Sequence, residues 1–281
     1  VALIAFNFYM GSSKPIIEGE LTVSVLDENV TVIRDEMGVP HIEAQSDADL
    51  YRAQGYVQAQ DRLFQMDLAR RQASGRLAEI IGEGAVENDK FFRTFSLRDA
   101  AEKSWDGYDA QSKQVLEWFT EGVNAYIEEG RLSYEFNLLG YEPELWTPID
   151  SLTIGKFMAY DLGGNWNLLA FRHWALNNLS EQQVAEMIVD YPEEARSIIE
   201  ANLENEVQVA DAFHIDAIPN EFNGSNNWVV AADKSETGAP LLADDPHLGL
   251  DTPSIWYQMH LKSPEQNVSG VIFTGIPGII L

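Results

Sequence analysis

Apolar and polar residues alternate along LTVSV (21–25) and VTVIRDEMGVPHIEA (30–44). Turn-forming residues stand at Asp27-Glu28-Asn29 and Met37-Gly38, so this period of two predicts β-strands. The period changes after Ser46. Leu50, Val57 and Phe64 recur every seven residues, with Ala53 and Leu68 on adjoining turns, which predicts a long amphipathic helix with its apolar face in a core. Ser46 is placed to cap it, Asp49 occupies the capping-box position, and Gly75 bends or ends it. Val115, Phe119, Val123 and Tyr126 mark a second helix over 110–129, stopped by Gly130. Pro148 begins a third through DSLTIGKFMAYDL, Ser180 with Gln183 opens a fourth, and Pro192 a fifth.

The periodicity fades over 202–222, an acidic stretch that reads as a linker. After Ser225 the texture is that of strands at short spacing: NWVVAA, PLLAD, IWYQMHLK and NVSGVIFTG, separated by DKSETGA, DPHLGLDTP and SPEQ. A helical first part followed by antiparallel β-structure is an α+β order. There is no internal repeat and no low-complexity tract.

Composition narrows the function more than the fold. With 18 basic and 45 acidic residues among 281, the net charge is −27, which argues against binding nucleic acid or an anionic membrane through bulk electrostatics. The absence of cysteine removes disulfides, thiolate metal sites and cysteine nucleophiles. There is no G-x-S-x-G elbow, H-E-x-x-H, Walker A or G-x-G-x-x-G motif. His41, His173, His214, His247 and His260 are too far apart for a local metal motif. The opening VALIAFNFYMGSS is apolar but too short to span a bilayer, and reads as the remnant of a signal peptide or membrane anchor over residues 1–14. The closing SGVIFTGIPGIIL ends in apolar residues, as expected of a fragment.

The stretch FNGSNNWVVA (222–231) admits three readings. Asn223-Gly224 suits a hairpin turn, because both residues tolerate positive φ. Asn223-Gly224-Ser225 fits an N-glycosylation acceptor. The Gly224–Ser225 bond also suits cleavage, which would leave Ser225 as a new N-terminus. An N-terminal serine carries its own base, since a free α-amine titrates near ~7.7 and can take the hydroxyl proton directly or through one water. Such a site needs no histidine, cysteine or metal. Gly224, lacking Cβ, resists least the distortion that attack on its own carbonyl requires.

With these residues quoted, the chain resembles the penicillin acylase family of N-terminal-nucleophile hydrolases, from about Pro15 to Leu281. VTVIRDEMGVPHIEAQSDADLYRAQGYVQAQDRLFQMDLARRQASGRLAEIIG is similar to the start of the family's α chain. GSNNWVVA, GAPLLADDPHLGL and TGIPGII are similar to the first strands of its β chain. The resemblance implies an αββα sandwich, two antiparallel sheets between helical layers, incomplete here. It divides the chain into an α-chain region (15–200), a spacer (201–224) and the start of a β chain (225–281). It implies a periplasmic or secreted amidohydrolase acting on small N-acyl amides, assembled from the α and β chains of one precursor, not membrane-embedded and not binding nucleic acid.

Residue by residue, the resemblance makes Ser225 the nucleophile and Gly224–Ser225 the autocleavage bond. His247 in ADDPHLGL falls where members carry histidine or glutamine beside the nucleophile. Met158 and Leu162 fall near the α-chain gate of the acyl pocket, with Leu248 and Leu281 near its β-chain wall. These aliphatic residues suit a flexible alkyl chain, and equally suit core packing. N-acyl-homoserine lactones are the expected substrates, with acylated β-lactams next. A non-catalytic acyl-amide-binding relative would keep Gly224–Ser225 intact. The remaining oxyanion donors of the family have no counterpart in these residues, and each such donor contributes about 10²–10³ in rate. No cofactor is required. Many members bind calcium through a glutamate, but GNWNLLAFR presents Leu168 or Leu169 there.

Overall fold

The computed structural model describes residues 11, 14–163, 166–187 and 224–281. Residues 1–10 of the apolar opening, the helix expected at Pro192, His214 and the linker over 202–222 lie outside them. In chain order the strands are β1 (Thr31–Arg34), β2 (Pro40–Glu43), β3 (Gly224–Val230), β4 (Leu241–His247), β5 (Trp256–Lys262) and β6 (Asn267–Phe273). The helices are α1 (Asp47–Ala73), α2 (Ala78–Ile81), α3 (Val86–Phe95), α4 (Leu97–Trp105), α5 (Ala110–Glu129), α6 (Tyr134–Leu139), α7 (Pro148–Leu162), α8 (Trp166–Asn178) and α9 (Glu181–Met187). Short 3₁₀ turns lie at Glu83–Ala85 and Ala232–Lys234.

β1 and β2 form an antiparallel hairpin with Ile33 opposite His41. Asp35 closes its turn by accepting the backbone N–H groups of Met37 and Val39, each at 2.9 Å. β5 and β6 form a second antiparallel hairpin, and β2 pairs in parallel with β5, giving the order β1-β2-β5-β6. A single parallel seam, His41↔His260 to Glu43↔Lys262, thus joins a hairpin that precedes residue 224 to one that follows it.

LTVSV forms no strand. It runs instead as an irregular strap with Leu21 exposed, turned between Val23 and Leu26, whose N–H reaches the Val23 carbonyl at 3.2 Å. Val23 packs against the cluster around Phe119, and Leu26 and Val30 against the cluster around Ile42. Alternation reports that side chains point toward a core, not that the backbone has a ladder partner.

α1 starts as the sequence predicts. The Ser46 hydroxyl accepts the Asp49 N–H at 3.2 Å. The carboxylate of Asp49 does not return to Ser46, as a capping box would have it. It is fully buried and accepts from the backbone of Asp27 (2.9 Å) and Glu28 (3.0 Å), binding the strap to the helix start. α1 is buried on two sides. Leu50, Ala53 and Val57 meet Ile42, Tyr257, Met259, Leu261 and Ile272 of the sheet. Tyr56, Leu63 and Met66 meet Phe119, Val123, Phe136, Trp146 and Ile154 of the helical layer.

α1 and α5 cross where both carry glycine. A Cβ on Gly55 would overlap the Phe119 carbonyl oxygen, and one on Gly122 the Arg52 carbonyl oxygen. The two backbones therefore touch directly. α5 spans the expected 110–129 and ends on Gly130 at φ +69°. α1 ends at Ala73, and Gly75 turns away at φ +63°.

The chain divides into two compact units, one holding residues to Ala159 and from Ser225, the other residues 160–224. In the second unit Ser180 and Gln183 make the reciprocal box expected of them. Ser180 N–H donates to Gln183 Oε1 at 3.0 Å, and Gln183 N–H to Ser180 Oγ at 3.3 Å. α3, α4, α6 and α8 were not legible as separate helices, because each is short or lacks a clean apolar stripe.

Candidate active site

Gly224 and Ser225 open strand β3, which pairs with β4 in a two-stranded sheet. A hairpin turn at 223–224 would place these residues between two paired strands, but Gly224 is itself the first residue of β3. Asn223 lies outside the described residues. His247 is the last residue of β4. Its Nε2 lies 2.9 Å from Asp245 Oδ2 and 3.5 Å from Asn226 Nδ2.

Because a carboxylate only accepts, the Asp245 contact places a proton on Nε2. The Asn226 amide then meets that same N–H best through its oxygen, and oxygen and nitrogen of an amide are assigned from the network rather than seen. The sheet thus brings Asn226, the residue after Ser225, to His247 and Asp245. Sequence reasoning named His247 but missed Asp245 and Asn226. The signal was in the pairing of β3 with β4, which no single stretch reveals.

The other expected site residues lie on three separate segments. On α7, Met158 is buried and Leu162 is exposed. Leu248 follows β4 and is half-buried. The Leu281 backbone lies along β6, its oxygen accepting the Val271 N–H at 2.9 Å. Gly270 is required there, since a Cβ would overlap the Leu281 oxygen.

The place where the resemblance puts a calcium-binding glutamate falls at the start of α8. Leu169 on α8 is exposed and has no side-chain oxygen, and the side chain of Leu168 is outside the described residues. Among the described residues no three or more His, Asp or Glu are grouped to hold a metal.

A groove of about 810 Å³ runs between α1, the turn at 37–39 and the loop before β5, lined by Arg62, Phe64, Glu135, Pro253, Trp256 and Tyr257 among others. It contains neither Ser225 nor His247, so its size does not make it the site. At its floor Asp61 accepts two bonds from Arg34 (2.7 and 2.9 Å) and one from the Tyr257 hydroxyl. Burial first, and then the Asp61 carboxylate, hold the Tyr257 phenol above its ordinary range. An unfolded tyrosine loses its proton near ~10. Its folded-state value being raised, this group stabilises the fold below that pH and loses its contribution as pH rises. Tyr257→Phe is expected to cost about 1.5–3 kcal/mol at pH 7, the range for a hydrogen bond to a charged group. In urea titrations the gap between wild type and variant should narrow above pH ~10.

Gln54 and Gln58, both fully buried in α1, clamp the loop after β6. Gln54 Nε2 donates to the Pro277 carbonyl (2.8 Å) and Gln58 Nε2 to the Ile276 carbonyl (3.1 Å). Gln58 Oε1 accepts the Gly275 N–H at 2.9 Å. These residues went unnamed in the sequence, although two amides four apart on an apolar helix face are a readable sign of buried polar work.

A model of the penicillin amidase family matches residues 29–281. The chain belongs to the penicillin amidase family. It is 35% identical to the penicillin acylase 2 proenzyme of Pseudomonas sp. (strain SE83), over 94% of this chain and 36% of that protein. It is 33% identical to the acyl-homoserine lactone acylase QuiP of Pseudomonas aeruginosa, over 95% of this chain and 33% of that one. A thermostable penicillin G acylase from Alcaligenes faecalis shares the fold with a TM-score of 0.51 and 28% identity, covering 62% of this chain and 97% of the solved one. The α+β reading and the family resemblance therefore hold. The chain spans about a third of the length of these two Pseudomonas relatives. Among the described residues no helix is long and apolar enough to cross a membrane.

Proposed function

We propose that this chain is part of a self-processing amidohydrolase whose nucleophile is Ser225, freed by cleavage of Gly224–Ser225. The observation that carries this reading is the position of Ser225 at the start of β3, next to Asn226, whose amide meets His247 of β4. The name proenzyme borne by the relative from strain SE83 supports maturation by cutting. Residues 15–200 then form the α-chain region, 201–224 the spacer and 225–281 the start of the β chain.

In this reading the Ser225 hydroxyl attacks the acyl carbon and passes its proton to the serine's own α-amine. That proton moves on to the departing amine as the amide C–N bond breaks and an acyl ester forms. Water, deprotonated by the same α-amine, then attacks the ester, and the acid leaves as the hydroxyl is restored. His247, oriented by Asp245, lines the approach. Met158, Leu162, Leu248 and Leu281 are proposed to bind the acyl chain, and their aliphatic character favours N-acyl-homoserine lactones, as the relative from P. aeruginosa is named for. The 35% identity to a penicillin acylase supports acylated β-lactams as the second class. Export to the periplasm or medium belongs to the same proposal.

The test is intact mass and N-terminal sequencing of the full-length gene product beside Ser225→Ala. A wild-type chain beginning Ser225-Asn226-Asn227-Trp228, with the variant uncut, supports the enzyme. A folded wild type with the bond intact favours a binding relative instead.

A further inference from the structure

The parallel seam between β2 and β5 carries two histidines face to face. His41 and His260 are register partners, with their rings edge to face at 5.2 Å between centroids. Their Nδ1 atoms approach to 3.0 Å. Both lie on the outer face of the sheet, because the alternate residues Ile42, Met259 and Leu261 point inward to Leu50, Ala53 and Val57 of α1. His260 Nε2 lies 2.7 Å from Asn267 Oδ1 on β6, and His41 Nε2 lies 3.6 Å from Asp35 Oδ2 on the β1–β2 turn. Ile33 of β1 and Ser269 of β6 stand opposite the two rings. The next pair along the seam, Glu43 and Lys262, is satisfied by its own ion pair at 2.9 Å.

We propose that His41 and His260 hold one hydrogen between their facing nitrogens, and that this makes the seam an acid-sensitive latch between the parts of the chain before and after residue 224. The proton count follows from the partners. Two bare nitrogens would repel at this distance, so one Nδ1 carries a hydrogen and the other accepts it, whichever ring is the donor. A further proton has a place on an outer Nε2, facing Asp35 or Asn267. A second has none, because it would set two N–H groups against each other at 3.0 Å. The unfolded chain protonates both imidazoles below about pH 6.5. Since unfolding then takes up one more proton, stability falls as pH falls, by about ten-fold in the unfolding constant per pH unit. The latch does not depend on cleavage.

The experiment uses the full-length protein, wild type and His260→Gln, with urea unfolding between pH 7.5 and 4.5 and ¹⁵N-imidazole NMR of the wild type. Ser225→Ala serves as a parallel background, so that an error about cleavage does not confuse the result. The glutamine removes one imidazole and leaves an amide facing His41. The latch predicts that the variant loses one proton's worth of acid slope, approaching ten-fold per pH unit. It predicts in the wild type, even if the variant does not fold, that one of the two imidazoles stays neutral until unfolding. Independent protonation of both rings in the folded wild type would overturn the proposal. So would equal acid slopes in the two proteins, or stabilisation by zinc that vanishes in His260→Gln, which would put a metal where the shared hydrogen is placed.

Discussion

Ser225→Ala is expected to leave the full-length protein folded, uncut and without measurable amide hydrolysis, a loss of about 10⁶-fold, as when a serine nucleophile is deleted elsewhere. The size follows from the chemistry. In the proposed mechanism the variant loses the attacking oxygen, and by staying uncut it never exposes the α-amine proposed as base. Both losses fall on one residue, so the effect is not graded. Ser225→Cys separates chemistry from folding, since a thiol of similar size should still support cleavage while turnover of an oxygen-tuned site falls. Mass spectrometry reads the cut, and release of the free amine from an N-acyl-homoserine lactone or an acylated β-lactam reads turnover. Residual hydrolysis above a tenth of wild type in the alanine variant would remove Ser225 from the chemistry.

Gly122→Ala is expected to be the most damaging single methyl in the described part of the chain. The added Cβ would sit on the Arg52 carbonyl oxygen and crowd the Tyr56 nitrogen, all backbone atoms of α1 that no rotamer change can move. α1 and α5 must then separate, opening the cluster of Tyr56, Phe119 and Val123. Overpacking of a tight core costs typically 1–3 kcal/mol, and a backbone-on-backbone contact belongs at about 3. The chemical midpoint in urea should fall with an unchanged slope. Gly155→Ala is the matched control, on α7 with nothing near its Cβ position. It should stabilise the protein by about 0.5–1 kcal/mol, the helix preference of alanine over glycine. If Gly122→Ala were as benign as Gly155→Ala, the close crossing would be wrong.

The long helices were legible because their signals are local. Ser46, Gly130, Pro148 and Ser180 mark boundaries through chemistry that involves only neighbouring residues, and the structure keeps all four. All four strands after Ser225 were legible for the same reason. LTVSV misled, because a strap lying over a core and a strand in a sheet bury side chains alike. The parallel seam could not be foreseen, since it pairs His41 with a residue 219 positions away. For the proposed site, the quoted motifs pointed to Ser225 and His247. Asp245 and Asn226 became visible when β3 and β4 were set side by side.

The clamp from α1 has a consequence for how this chain can change. Gln54 and Gln58 grip carbonyl and amide groups that every residue type shares, apart from the N–H of proline. What they recognise at Ile276 and Pro277 is main-chain geometry, so those side chains answer to their other neighbours. Gly275 is different. Its φ of +92° and the nearness of Ile154 and Trp146 to its absent Cβ leave no room for another residue. Random mutagenesis with selection for folding should therefore find position 275 closed and Gln58 as closed as the glycine it serves, while 276 and 277 are limited by the packing of Ile276 on the Phe119 cluster and the burial of Pro277 rather than by the clamp.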